Sequence, residues 1–333
     1  MFFEGSFPKK RMRRLRTDDY MRRLVQETSL KACDLIYPVF VVDKDESYED
    51  IVGMPGVFRL GRQELCKVAS LCLERKIPAI ALFPCVDGSL KTPGAEEAYN
   101  VDGFLPKTIK LLKEHTPSLG VIADVALDPY TSHGQDGLLD PEKNTILNDE
   151  TVQVLVKQAL CYAESGVDII APSDMMDGRV GAIRSALDEA NFSQVKILSY
   201  AAKYASSFYG PFRHAVGSAP NLQGQDKKTY QMDPANSNEA LHEVYQDIKE
   251  GADMVMVKPA SFYSDIIWQV KNKFAVPTFA YQVSGEYAML KAASEKGLID
   301  EKSSVLESLL SLKRSGCDAI LTYYALQAAE WIL

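Results

Sequence analysis

DMVMVKP, residues 253–259, carries four consecutive apolar residues, Met254 to Val257, straight into a lysine and a proline. A run apolar on both faces reads as a strand covered on both sides, as in a parallel sheet packed under helices. It ends on the amine of Lys258, and Pro259, which has no N–H to give a ladder, stops it. Seven further runs share the pattern: LIYPVFV (35–41), AIALFP (79–84), GVIADVAL (120–127), VDIIAPS (167–173), KILSYAAK (196–203), PTFAYQ (277–282) and AILTYY (319–324). Amphipathic segments such as ELCKVASLCLERK, ETVQVLVKQALCYAESG, GRVGAIRSALDEA and NEALHEVYQDIKEG separate them. Glycines in SGVDII, EGADMV and SGCDAI suit helix C-caps that lead directly into the next strand. Eight strand–helix units predict an α/β fold of the TIM (β/α)8 barrel type over residues 32–333, with an extended N-terminal arm over 1–31. A doubly wound open sheet fits less well, because no GxGxxG follows the first strand.

Composition agrees with a folded, reduced protein. The 333 residues are 46% hydrophobic and 25% charged, and the six cysteines are scattered with no CxxC pair. No apolar run reaches the roughly 20 residues of a membrane span, and no apolar stretch follows the basic start, so a cytoplasmic location is expected. Net charge is −8, yet residues 1–31 hold nine Lys/Arg against four Asp/Glu. A basic arm on an acidic body suits nucleic-acid contact, organelle targeting or packing on a neighbouring copy. Packing on a neighbour is favoured: the acidic body repels nucleic acid, and Glu4, Asp18 and Asp19 interrupt the basic run.

The long segment 204–237 separates the fifth strand from its helix and reads as an active-site lid, since it leaves a strand at the end where barrel enzymes keep their chemistry. Lys203 and Lys258 finish adjacent strands at that same rim. A lysine attacks a carbonyl only when neutral, and with an ordinary pKa of about 10.4 it is mostly protonated at neutral pH. Burial and a second cation both favour the neutral form, so two such lysines activate one another. The plainer alternative, an amine that snorkels from the core to solvent, accounts for one lysine better than for two.

The motifs MVKP (256–259), YAAKYAS (200–206), FYGPFR (208–213), YQMDPAN (230–236), APSDMMDGR (171–179), YQVSGEYAM (281–289) and ALFP (81–84) together resemble the porphobilinogen synthase, or 5-aminolevulinate dehydratase, family over roughly residues 12–331. The resemblance implies a lyase of haem and tetrapyrrole synthesis that condenses two molecules of 5-aminolevulinate into porphobilinogen on a TIM barrel, with the arm used in a homo-octamer. It implies Schiff bases on Lys203 and Lys258. It also implies a carboxylate clamp from Arg213 and Lys227, with Lys228 as the alternative lysine, and a second clamp from the hydroxyls of Ser284 and Tyr323. Asp124 and Asp174 match family residues near the substrate amine. Nucleic acid and membrane are not expected partners.

Cation use follows the same resemblance. Zinc-using members have three cysteines where Ala126, Asp128 and Asp136 stand here. Alanine cannot ligate and carboxylates are hard ligands, so no catalytic zinc is expected; magnesium, a monovalent cation or water suits Asp128 and Asp136 better, and helix capping or loop hydrogen bonding accounts for them equally well. Glu243 matches the carboxylate of an allosteric magnesium (Mg2+) site, although taken alone it is one helix glutamate. His133, in the same loop as the aspartates, is expected to be a hydrogen-bonding residue. A class I aldolase would use Lys258 and leave Lys203 and the lid unexplained. A silent binding barrel would need neither lysine, and a metal-dependent hydrolase built on residues 124–136 would lack clustered histidines.

Overall fold

The computed structural model describes residues 5–140, 142–217 and 226–332. Residues 1–4 of the arm and 218–225 of the expected lid lie outside the described residues. Eight parallel strands form a closed barrel: β1 (Leu35–Val42), β2 (Ala79–Cys85), β3 (Gly120–Val125), β4 (Ile169–Pro172), β5 (Lys196–Lys203), β6 (Met254–Lys258), β7 (Thr278–Gln282) and β8 (Ala319–Thr322). Closure comes from β8 on β1, Leu35 beside Ile320 and Ile36 beside Leu321. The expected TIM barrel is the fold the chain adopts.

Nine helices wrap it among the described residues: α1 (Arg62–Glu74), α2 (Phe104–His115), α3 (Asn148–Glu164), α4 (Arg179–Glu189), α5 (Asn238–Lys249), α6 (Ser264–Phe274), α7 (Ser284–Glu295), α8 (Glu301–Arg314) and α9 (Ala325–Ile332); shorter helical turns lie in the arm and lid. Their buried positions follow helical spacing, as with Leu65, Ala69 and Cys72 on α1 and Val305, Leu309 and Leu312 on α8. α3 shows how a helix hands over to a strand. Gly166 takes φ +87°, its N–H donates to Ala163 O, and Val167 N–H donates to Tyr162 O, which closes the helix end just before β4.

The lid segment contains more regular structure than the sequence suggests: a turn at Ser207–Tyr209 and a short helix at Gly210–Ala215. Residues 43–61, which the sequence reading leaves unassigned, form a small ribbon at the same rim. Its Phe58–Leu60 strand pairs with the end of β1, Arg59 opposite Phe40, and Tyr48–Asp50 runs antiparallel to it.

β5 and β6 are out of step by one residue. Val255 pairs with Ser199, but Val257 pairs with Ala202 and Lys258 with Lys203, so β5 holds one residue more than β6 between those pairs. Ser199 faces the helix layer, where its hydroxyl donates to Asp247 of α5 at 2.5 Å. Strict alternation would send Lys203 the same way, four residues on. The bulge inverts the phase and turns Lys203 into the barrel mouth beside Lys258.

Asp247 and Arg179 of α4 form an ion pair at 3.4 Å inside that helix layer, with side chains 4% and 3% exposed. Removing one member leaves the other as a buried charge without its counter-ion. Asp247→Ala is expected to lower the unfolding free energy by about 3 kcal/mol, read from the urea midpoint. A loss below about 1 kcal/mol, the size of a solvated pair, would show that water already screens the charge.

Candidate active site

Lys203 and Lys258 close neighbouring strands as register partners, and each residue is 6% exposed. Their amines have different company. Lys258 Nζ lies among four aromatic rings, with centroids at 4.8 Å for Tyr281, 5.0 Å for Tyr200, 5.1 Å for Phe212 and 5.3 Å for Tyr209. Ring faces attract an ammonium but do not replace its water. Burial, and then the neighbouring Lys203 charge, push the Lys258 amine down to about 7. Lys203 Nζ instead donates to Ser173 O at 2.6 Å and to Asp136 Oδ2 at 3.1 Å.

Asp136 is the junction of the polar network. Its second carboxylate oxygen accepts from Lys227 of the lid, which also reaches Asp128 at 3.2 Å. Burial alone would raise the Asp136 carboxyl, but the Lys203 and Lys227 ammonium groups hold it well below the usual carboxylate range. The pairing settles which of two consecutive lysines faces the site: Lys227 is buried, whereas Lys228 pairs with Asp226 on the surface.

Asp124 and Asp174 sit close by, both buried, and each has one carboxylate oxygen without a hydrogen-bond partner among the described residues. Burial pushes the Asp124 carboxyl up to about 6 against the pull of Lys258 and Lys203. Burial, reinforced by the Asp136 charge, pushes Asp174 well above its ordinary value, while its Oδ2 accepts from Leu127 N at 2.8 Å. One carboxyl that exchanges its proton near neutrality beside a half-neutral amine is the equipment of acid–base chemistry on a carbonyl.

Asp124, Asp128, Lys203, Arg213, Lys227 and Lys258 line one small cavity of about 30 Å³. That is room for water and not for a pair of small acids, and Phe212, Arg213 and Lys227 of the lid are among its lining. Ser284 and Tyr323 do not line it. The Ser284 hydroxyl accepts from Phe212 N at 2.9 Å, and the Tyr323 hydroxyl shares a 2.9 Å hydrogen bond with Tyr281. Glu243 lies apart, on the wall of a cavity of about 680 Å³ with Asn148, Asp177, Arg179 and Asp247. Burial raises its carboxyl, with the Arg179 charge opposing.

Carboxylate oxygens of Asp128, Asp136 and Asp174 come within 4.8 Å of one another. This all-oxygen set would suit a hard cation, and Ala126 offers no ligand, so the soft thiolate set of a zinc centre is missing from it. Lys227 and Lys203 already supply positive charge to Asp136, and Lys227 to Asp128. His133 accepts a hydrogen bond from Gln135 N at 3.2 Å through Nδ1, consistent with its expected role. The aromatic cage of Tyr200, Tyr209, Phe212 and Tyr281 went unread in the sequence. The available signal was their place inside the motifs that carry the lysines and the lid.

Comparison with known proteins places this geometry in context. The family profile described as delta-aminolevulinic acid dehydratase matches residues 9–331. The Bradyrhizobium diazoefficiens delta-aminolevulinic acid dehydratase is 54% identical over 96% of this chain and 90% of its own length. The Rhodobacter capsulatus protein of that name is 49% identical over 98% and 97%. A crystal structure of delta-aminolevulinic acid dehydratase (porphobilinogen synthase) from Toxoplasma gondii, in complex with the reaction product porphobilinogen, superposes with a TM-score of 0.95 at 52% identity, covering 97% of this chain and 91% of that one. With that match along nearly its whole length, and two buried lysines paired at the barrel mouth, the chain belongs to the delta-aminolevulinic acid dehydratase family.

Proposed function

We propose that the protein condenses two molecules of 5-aminolevulinate into porphobilinogen with loss of two waters, as a lyase of tetrapyrrole synthesis. The observation that carries this reading is the register pair of Lys203 and Lys258, with Lys258 caged and near-neutral. An aldolase needs one such amine. Two ketones activated side by side need two.

Each lysine adds to the ketone of one substrate and loses water to form an imine. The protonated imine on Lys203 acidifies the adjacent C–H, and the resulting enamine carbon attacks the imine carbon held on Lys258. The amine of the substrate on Lys258 attacks the imine carbon on Lys203. As these two bonds form, in either order, the C–N bonds to both lysines break, each lysine leaves as its amine, and the ring carbons give up their extra protons to leave the pyrrole. Asp124, with a carboxyl near 6, suits taking and returning the proton between them. Arg213 and Lys227 hold one substrate carboxylate, and Lys227 exchanges Asp128 and Asp136 for it. Ser284 and Tyr323 hold the other through their hydroxyls, once these turn from Phe212 N and from Tyr281.

Glu243 is the residue that would hold magnesium, and the fit rests on its half-buried carboxyl at the wall of a roomy polar cavity. A bound divalent ion supplies positive charge to that wall and needs few protein ligands. The arm (1–31) packs on another copy in a homo-octamer: Phe7, Met12, Tyr20 and Leu24 are exposed on it, among basic residues. Asp128 and Asp136 serve the lysines, with a monovalent cation or magnesium as their other partner and no zinc.

Supplying 5-aminolevulinate and magnesium and assaying for the pyrrole tests the reading; no pyrrole with any cation would overturn it. Borohydride trapping of substrate should label Lys258. With an amine near 7, its neutral fraction climbs from about a tenth at pH 6 to about nine-tenths at pH 8, so initial trapping should be half-maximal near pH 7. A midpoint near pH 10 would mean that the cage does not depress the amine. Glu243→Ala is expected to remove stimulation by magnesium while trapping at Lys258 persists. Zinc chelation should leave activity intact, and rescue by zinc alone would reverse the cation assignment.

A further inference from the structure

The lid helix Gly210–Ala215 carries Phe212, one wall of the Lys258 cage, and Arg213, which lines the cavity. At six residues it is too short to be stable alone, so its position is decided by what holds its ends. One end rests on α7. Ser284 Oγ accepts from Phe212 N at 2.9 Å and donates to Phe208 O at 3.4 Å. Gly285 lies so close that a Cβ there would stand 2.5 Å from Phe208 O.

The other end is gripped from the ribbon. Arg59 Nε donates to Ala215 O and Nη2 to His214 O, both at 2.7 Å. The same carbonyl of Ala215 accepts from Cys85 Sγ at 3.1 Å, and Lys91 Nζ donates to Gly217 O at 3.3 Å. The last carbonyls of a helix have no partners of their own, and a cation at that end also meets the negative pole of the peptide dipoles. Arg59 serves two of them with one rigid fork, which a lysine cannot do. It is itself oriented: its strand is registered on β1, and Glu49 lies 3.7 Å from Nη1 on the far side.

We propose that Arg59 is a positioning residue, a latch that fixes the C-terminal end of the lid helix and thereby sets where Phe212 and Arg213 stand over Lys258. It touches neither lysine and does not line the cavity, so it acts through the lid alone. The consequence for substrate rests on the proposed role of Arg213, and two readouts keep the claims apart.

The first readout is hydrogen exchange over residues 208–217, followed by mass spectrometry on the intact assembly without substrate. Arg59→Ala should speed exchange there by about tenfold or more, the weight of a charge-assisted hydrogen bond, with unchanged exchange in β5 and β6. Exchange within twofold of the parent protein would overturn the latch. The second readout is steady-state kinetics with 5-aminolevulinate. KM should rise by about tenfold, with a smaller fall in kcat as the Phe212 wall of the Lys258 cage loosens. Faster exchange with unchanged KM would uphold the latch and remove Arg213 from substrate binding. Should Arg59→Ala not fold, Arg59→Lys keeps the charge without the fork and is expected to show the same change in smaller degree; parent-like exchange in it, with unchanged KM, would equally overturn the proposal.

Discussion

Two primary amines side by side in a space almost closed to water cannot both stay protonated unless something answers their charge. Much of the barrel mouth is arranged around that constraint. Asp136 answers one amine, Lys203, at 3.1 Å, while Lys258 is surrounded by rings that carry no formal charge. The asymmetry divides the labour: one lysine remains tied to a carboxylate, and the other loses its proton near neutrality. Asp124 completes the arrangement, because the environment that lowers an amine also raises a carboxyl, and the two come within about a unit of each other.

The lid belongs to the same electrostatic account. Lys227 brings a third cation into the cluster, and Asp136, facing Lys203 on one oxygen and Lys227 on the other, ties lid to barrel. A substrate carboxylate that recruits Lys227 would take positive charge from Asp136 and leave Lys203 as its main counter-charge. Such a ligand would link its own binding to the amine chemistry through one carboxylate. Ser284 is placed similarly, since its hydroxyl holds lid backbone in this state and would have to turn from Phe212 to serve a ligand.

The barrel was legible because doubly covered strands leave apolar runs, and eight of these recur with amphipathic segments between them. Lys203 and Lys258 were legible because a charge at the end of such a run has nowhere to be except a rim. The lid helix, the ribbon and Arg59 were not. Their contacts join residue 59 to residue 215, and no local periodicity records a pairing across that separation. The aromatic cage escaped for a related reason: Tyr200, Tyr281 and Phe212 are ordinary core residues one strand at a time and become a cage only when the barrel closes. Asp128 and Asp136 had two readings in the sequence, and the ion pairs with Lys227 give both a polar partner within the protein.

The single extra residue in β5 has a consequence for how such chains are recognised. Ser199 faces the helix layer and Lys203, four residues on, faces the mouth, because β5 spends three steps between Ser199 and Ala202 where β6 spends two between Val255 and Val257. A chain shortened by one position there would still spell a lysine after an apolar run, and any search for the motif would still find it. The amine would face the wrong layer. In this barrel, the spelling of the motif and its meaning are separable, and what joins them is a matter of parity.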